Sequence, residues 1–265
     1  MVFESIPPDL LYTNRPHPAR IYDYFLGGRD NYEVDRFAAE EIMLALPRIY
    51  EAARANREFL HRVVRTVVDA GVRQIIDIGT GIPTSPNTHE VAQALAPGTR
   101  VVYVDNDPVV QAHADARLIG ARDTVFARAD FREPRDILEH PAVTSMIDFS
   151  RPVALILIAI LHFITELEDP GRCIGELGAA LAPGSYLALS HATDDGVTDD
   201  AQAAVKIFTQ ATTPLTLRHR PQVLELFDGF ELLAPGLVTV AQWRPDPAGG
   251  EPPRFGIYAG AGIKK

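Results

Sequence analysis

Asp77, Asp105 and Asp130 each stand within or just beyond an apolar run, and His162 and His191 stand at the ends of two more. Carboxylates in such places accept hydrogen bonds from hydroxyls and amines or hold a cation. A histidine, with an ordinary pKa of about 6.5, exchanges a proton near neutrality. The densest of these places is Ile75-Ile76-Asp77-Ile78-Gly79-Thr80-Gly81-Ile82-Pro83-Thr84. It reads as a buried strand entering a glycine turn that opens a helix, whose free N–H groups point back at the turn. Gly79, Thr80 and Gly81 then line a nucleotide-like ligand, although an ordinary tight strand–helix turn also explains two glycines. A dinucleotide cradle requires a third glycine. Here that position is Thr84, preceded by Pro83, which has no N–H to offer. Asp77, two residues before the first glycine, suits a ligand bearing positive charge better than a polyphosphate.

The next two strands carry the ligand reading further. Val101-Val102-Tyr103-Val104 ends in Asp105-Asn106-Asp107-Pro108, with Asp105 24 positions after Gly81. An acidic residue closing the second strand of an open α/β sheet accepts hydrogen bonds from ribose hydroxyls. Asn106 is placed for an adenine edge, and Asp107 for capping the helix that starts at Pro108. The run 124–127 leads to Asp130, placed to accept from an exocyclic adenine amine, with Phe131 beside the ring; a loop cap and a core aromatic account for that pair equally well. S-adenosylmethionine, a nucleoside carrying a sulfonium and an ammonium, fits this set of groups.

These residues need a frame of alternating strands and helices. The apolar spacing predicts a helix over 50–70 and strands at 74–78, 101–104, 124–127, 153–159 and 185–190. Helices near 87–95, 108–118, 134–140 and 170–181 separate them, a pattern that builds a parallel sheet covered on both faces. Helices at 199–211 and 221–227, with paired strands near 236–243 and 254–260, complete a Rossmann-like, mostly parallel seven-stranded α/β sheet. The stretch Pro245 to Pro253 reads as an exposed hairpin loop. Residues 1–50 form an N-terminal helical cap or lid, and 51–265 the main domain.

The 265 residues, 46% hydrophobic, suffice for one large core. A net charge of −10 argues against a nucleic-acid partner, which calls for a basic excess. Cys173 is the sole cysteine and the eight histidines show no ligand spacing, so neither a disulfide framework nor a metal site is expected. Met1 to Arg20 lacks the apolar core of a signal peptide, and the longest apolar run, Val153 to Leu161, is too short for a bilayer. A cytoplasmic protein without a membrane partner is therefore expected.

The window Arg20-Ile21-Tyr22-Asp23-Tyr24-Phe25-Leu26-Gly27-Gly28-Arg29-Asp30-Asn31-Tyr32 holds more aromatics than a surface tail needs. It is either a docked helix stopped by Gly27-Gly28, or a lid with Tyr24 and Asn31 facing a ligand and Arg20 or Arg29 near a ligand carboxylate. Arg54, Asn56 and Arg57 on the following helix are further candidates for that carboxylate, with a solvated helix face as the plainer account of each. The blocks ARIYDYFLGGRDNYEVDR, DIGTGIPT, VDNDPVV and LSHATDDG, with ALILIAILHFI between, resemble the class I S-adenosylmethionine-dependent methyltransferases. More narrowly, they resemble an actinobacterial S-adenosyl methyltransferase family long known only as a domain of unknown function. The resemblance spans from about Arg15 to the C-terminus. It implies the fold, the cofactor and the lid, and names no acceptor.

Catalysis then belongs beyond the strand ends, where the fourth strand delivers Ala159 and His162 and the fifth delivers His191. In-line methyl transfer needs approach geometry and, for some acceptors, a base. His162 is the first candidate and His191 the second, although a strand-end histidine is commonly a satisfied structural residue. The expected function is methyl transfer to a small-molecule acceptor. The alternatives are a protein that binds S-adenosylmethionine or S-adenosylhomocysteine without transferring, and a nicotinamide-dependent oxidoreductase, which Pro83 and Thr84 disfavour.

Overall fold

The alternating runs become one twisted sheet with helices on both faces in a computed structural model, which describes residues 13–118, 120–195, 199–211, 213–246 and 256–265. The elements are α1 (Pro18–Phe25), α2 (Glu33–Ala45), α3 (Ile49–Asp69), β1 (Gln74–Ile78), α4 (Thr88–Leu95), β2 (Arg100–Asp105), α5 (Pro108–Arg117) and β3 (Thr124–Arg128). They continue with α6 (Pro134–Glu139), α7 (Pro141–Met146), β4 (Ala154–Ile158), α8 (Pro170–Ala180), β5 (Tyr186–Ala192), α9 (Asp199–Ala211) and α10 (Arg220–Glu225). The last strands are β6 (Phe230–Leu232), β7 (Val238–Thr239) and β8 (Ile257–Lys264). Strand order is β3-β2-β1-β4-β5-β8-β6, with β7 also paired to β8. The first five strands are parallel, and β8 runs antiparallel to β5, β6 and β7.

The sheet thus has eight strands where seven are expected. The additional one is β6, whose three residues are too short to show an alternating pattern. The terminal strand runs to Lys264 rather than ending near 260, and carries Gly260 and Gly262 within it. Packing explains them: a Cβ on Gly262 would stand 2.9 Å from Phe230 Cβ. The loop expected over 245–253 lies mostly outside the described residues, as do the first positions of the strand expected from 254.

Period-two alternation divides the strand side chains between two cores. Ile76, Ile78, Val102, Val104, Leu155 and Leu157 pack on one face, while Ile75, Val101, Ala154 and Ile156 meet α3 on the other. Along α3, Phe59, Val63, Val64 and Val67 are fully buried, each contributing roughly 1.5–3 kcal/mol by leaving water. Arg62 on the same helix donates to Val240 O at 2.6 Å and Trp243 O at 2.8 Å, tying the C-terminal segment to it. Among the described residues no helix is long and apolar enough to cross a membrane.

A third cluster joins α1 and α2 to α9, with Ile21, Phe25, Ala39, Ile42 and Ala204 buried together. Asp35 holds this part in register. Its carboxylate accepts from the N–H groups of His17 (2.9 Å) and Tyr32 (2.8 Å), the residues that precede α1 and α2, and from Arg20 Nε at 2.8 Å. Arg20 and Asp35 are both almost completely buried. Asp23 makes the second staple, accepting from Asp30 N–H at 3.0 Å and Asn31 Nδ2 at 2.8 Å. Removing one partner of a buried ion pair strands the other charge. Asp35→Ala is therefore expected to cost about 3 kcal/mol in urea unfolding, whereas a loss under about 1 kcal/mol would show that the pair does not hold the cap.

Candidate active site

The carboxyl ends of β1, β2, β3 and β4 open into a cavity of about 1260 Å³, walled on its other side by α1, α2, α3 and α9. The turn after β1 forms its floor. Gly79 N–H donates to Val104 O at 2.8 Å, and Gly81 N–H donates to the Asp105 carboxylate at 2.9 Å. Gly79 has φ +70, and a Cβ there would fall 2.6 Å from the Ile160 side chain. Both its conformation and its neighbour require glycine. Gly81 has φ +65, and a Cβ on it would lie 3.9 Å from Ala19, so α1 passes directly over the turn. On β4's side of the floor, Ala159 holds φ +58 with its N–H donating to Ser190 Oγ at 3.0 Å. A left-handed alanine carries backbone strain, of a kind that gathers at functional sites.

Asp77, Gly79, Thr80, Gly81, Asp105, Asn106, Asp130, Phe131, Ala159 and His162 all line this cavity. Asp77 accepts from Thr88 Oγ1 at 2.6 Å. Burial pushes its carboxyl up to about 6, against the pull of Thr88 and of Arg57 nearby. Burial also raises Asp105, although the N–H groups of Asp107 and Gly81 support its charged form. Asp130 behaves oppositely. Burial alone would raise it, but Arg132, which donates from its backbone and guanidinium, and Asn106 hold it below the usual carboxylate value.

Tyr24, Asn31 and His191 do not line the cavity. Tyr24 donates to Glu40 at the surface, beside a smaller cleft of about 400 Å³ that also touches Arg29 and Arg54. Asn31 acts through Asp23, which does line the main cavity. Arg20 is engaged by Asp35. His191 is fully buried with both ring nitrogens committed: Nδ1 lies 2.6 Å from Ala192 O, and Nε2 lies 2.8 Å from Arg218 Nη1. Nε2 must accept from the guanidinium, so Nδ1 carries the proton and the ring is neutral. Burial lowers its pKa to about 4, with the Arg218 charge acting in the same direction.

Three residues gain weight from the structure. Tyr22, rather than Tyr24, faces the cavity; its hydroxyl donates to Ala53 O at 3.1 Å and accepts from Asn56 Nδ2 at 3.1 Å. Asn56 Oδ1 and Arg57 Nε are buried atoms without a partner among the described residues, and both side chains line the cavity. The Arg57 guanidinium is otherwise held by Pro86 O at 2.9 Å and by Thr84 O. Buried polar atoms left unpaired cost about 1–3 kcal/mol each, which marks these two as places for a polar ligand.

The fold is a Rossmann-like α/β sheet with a cavity at its strand ends, where such sheets bind ligands. The chain belongs to the S-adenosyl methyltransferase family, whose model matches residues 5–265. It is an S-adenosylmethionine-dependent methyltransferase, and S-adenosylmethionine is its cofactor. A DUF574-family protein from Streptomyces avermitilis is 38% identical, with a TM-score of 0.92 over 96% of this chain and 100% of that one. A candidate methyltransferase from Thermobifida fusca is 40% identical, with a TM-score of 0.91 over the full length of both. Human N-acetylserotonin methyltransferase in complex with SAM shares the fold at 15% identity, with a TM-score of 0.52 over 97% of this chain and 64% of that one. No curated protein matches in sequence.

The glycine turn supplies a direct test. Gly79→Ala is expected to lower stability by roughly 1–3 kcal/mol, the scale of a left-handed non-glycine residue. Its collision with Ile160 should also disturb the floor and weaken S-adenosylhomocysteine binding. Thermal unfolding and calorimetric titration of this variant check both effects; wild-type values for both would show that the close approach is dispensable.

Proposed function

We propose that the protein methylates a small molecule held in the inner part of the cavity, with its cofactor lying along the ends of β1, β2 and β3. The observation that carries this reading is the convergence of three strand-end carboxylates and two unpaired buried polar atoms on one cavity. Asp105, with a carboxylate oxygen already oriented by Gly81 N–H, accepts the ribose hydroxyls. Asn106 and Asp130 face the adenine edge, and buried Phe131 offers a ring wall beside them. Asn56 Oδ1 and Asp77 suit an ammonium group, and Arg57 suits the carboxylate at the same end. When bound, S-adenosylmethionine supplies a methyl group on a sulfonium sulfur, which retains the electron pair of the breaking bond. The chain holds donor and acceptor in line, a contribution of orientation. The proton lost by the acceptor passes to solvent.

Calorimetry with S-adenosylhomocysteine and NAD tests the site. The adenosyl ligand should bind and NAD should not; the reverse would overturn the reading. Asp105→Ala should lose roughly 1.5–3 kcal/mol of adenosyl affinity, the scale of hydrogen bonds to a charged group. Unchanged affinity in a folded variant would remove Asp105 from the ribose.

The Asp77 carboxyl adds a pH signature. Below about pH 6 it is protonated and offers an ammonium no charge, so S-adenosylhomocysteine affinity should rise between pH 5 and 7. Asp77→Asn should flatten that rise. Stability moves the other way for this group. The folded chain keeps a proton that the unfolded chain releases between roughly pH 4 and 6, so ionising Asp77 costs stability as pH climbs through that window.

A further inference from the structure

We propose that the inner part of the cavity takes a flat, apolar aromatic molecule and holds its one hydrogen-bond-accepting oxygen with the Nε2–H of His162. This assignment rests on the cofactor reading above and names the class of acceptor. A single drug-sized ligand fills about 300–1,000 Å³, so 1260 Å³ leaves room beyond a cofactor. The carboxylates and unpaired polar atoms gather at the ends of β1 to β3 and on α3. The part between α2, α9 and the turn Leu161–Phe163 is different. Ile42, Leu46, Ile49, Phe163, Phe208 and Leu215 line it. Phe163 and Phe208 stack with centroids 5.4 Å apart and planes 28° from parallel. Stacked rings lining this space favour another flat ring beside them. A sugar, peptide or nucleotide would bury most of its polar groups there against apolar side chains, with only Arg48 and Thr213 among the described residues beside them to bond, an unfavourable exchange.

Asp195 and Arg220, at the cavity's far edge, are already engaged. Asp195 accepts from Tyr258 Oη at 2.9 Å and from Arg220 N–H at 2.7 Å, and Arg220 Nη2 donates to Leu237 O at 3.2 Å. His162 differs from them. Its Nδ1 accepts from Ala192 N–H at 3.4 Å, which puts the proton of the neutral ring on Nε2. Nε2 has no partner among the described residues, and His162 lines the cavity. Burial, with His191 and Arg218 adding to it, keeps the ring neutral by lowering its pKa well below 6.5. In this tautomer His162 gives a hydrogen bond to the acceptor. It does not take the acceptor's proton.

The test is a fluorescence titration of the full chain, saturated with S-adenosylhomocysteine, using 2-naphthol, 1-hydroxypyrene and, by calorimetry, decahydro-2-naphthol. The two aromatic hydroxyls should bind at least tenfold more tightly than the saturated one. Phe208→Ala should weaken them at least fivefold. His162→Phe should weaken them about tenfold, while His162→Gln, which keeps a donor, should stay within threefold of wild type. S-adenosylhomocysteine affinity, measured for every variant, should change less than threefold and reports an intact fold. Equal binding of saturated and aromatic probes, or no binding of either while S-adenosylhomocysteine binds, would overturn the assignment. So would His162→Gln behaving like His162→Phe. Failure of wild type to bind S-adenosylhomocysteine would instead overturn the cofactor reading.

Discussion

A hydrogen bond from the Gly81 N–H to the Asp105 carboxylate ties the turn after β1 to the end of β2. Gly79 N–H makes a parallel tie to Val104 O, and Ile160 closes over Gly79 from the side of β4. Three neighbouring strands therefore meet at a turn with no room for a side chain. Around the same floor Asp77 is buried, Asp105 is oriented by Gly81 N–H and Ala159 adopts a left-handed conformation. Much of the floor of the cavity follows from this one close approach.

The N-terminal helices are built into the site. Buried Asp35 gathers the entrances of α1 and α2 and the Arg20 guanidinium, and Asp23 gathers the chain that joins the two helices. The cluster they form with α9 makes the wall opposite the sheet, so the same helices that stabilise the cap shape that side of the cavity. Charge on this wall is spent on internal pairs. Apolar side chains are left to face the space between α2 and α9.

Two histidines close to each other show how surroundings divide roles. Their rings lie 5.8 Å apart, near perpendicular. Arg218 donates to His191 and to the carbonyls of Leu161 and Ile164, which locks β5 to the turn after β4. His191 is thereby a structural acceptor. His162, on the turn itself, is held at Nδ1 and has no partner at Nε2 among the described residues.

Much of this protein was legible in its sequence. The strands β1 to β5, the glycine turn, and the carboxylates at 77, 105 and 130 follow from short-range rules: β-branched runs, period-two alternation and the turn that glycine permits. Such rules do not reach across the fold. Tyr22 and Tyr24 flank the buried stripe of Ile21 and Phe25 at similar angles on a helix of 3.6 residues per turn, so periodicity does not choose between them. His191 follows Leu187 and Leu189 onto one face of β5, yet only the arrival of Arg218, 27 residues later, decides that it is committed there. β6 exists because Gly262 leaves space for Phe230, a match between distant positions. Asn56 and Arg57 look like any polar pair on an amphipathic helix until the fold buries one atom of each, Asn56 Oδ1 and Arg57 Nε, without a partner among the described residues. The sequence by itself determined the local geometry of the turn and the carboxylates that stand at the strand ends. The tertiary structure decided which side chains have unused hydrogen-bonding capacity inside a shared cavity, because that depends on partners far away along the chain.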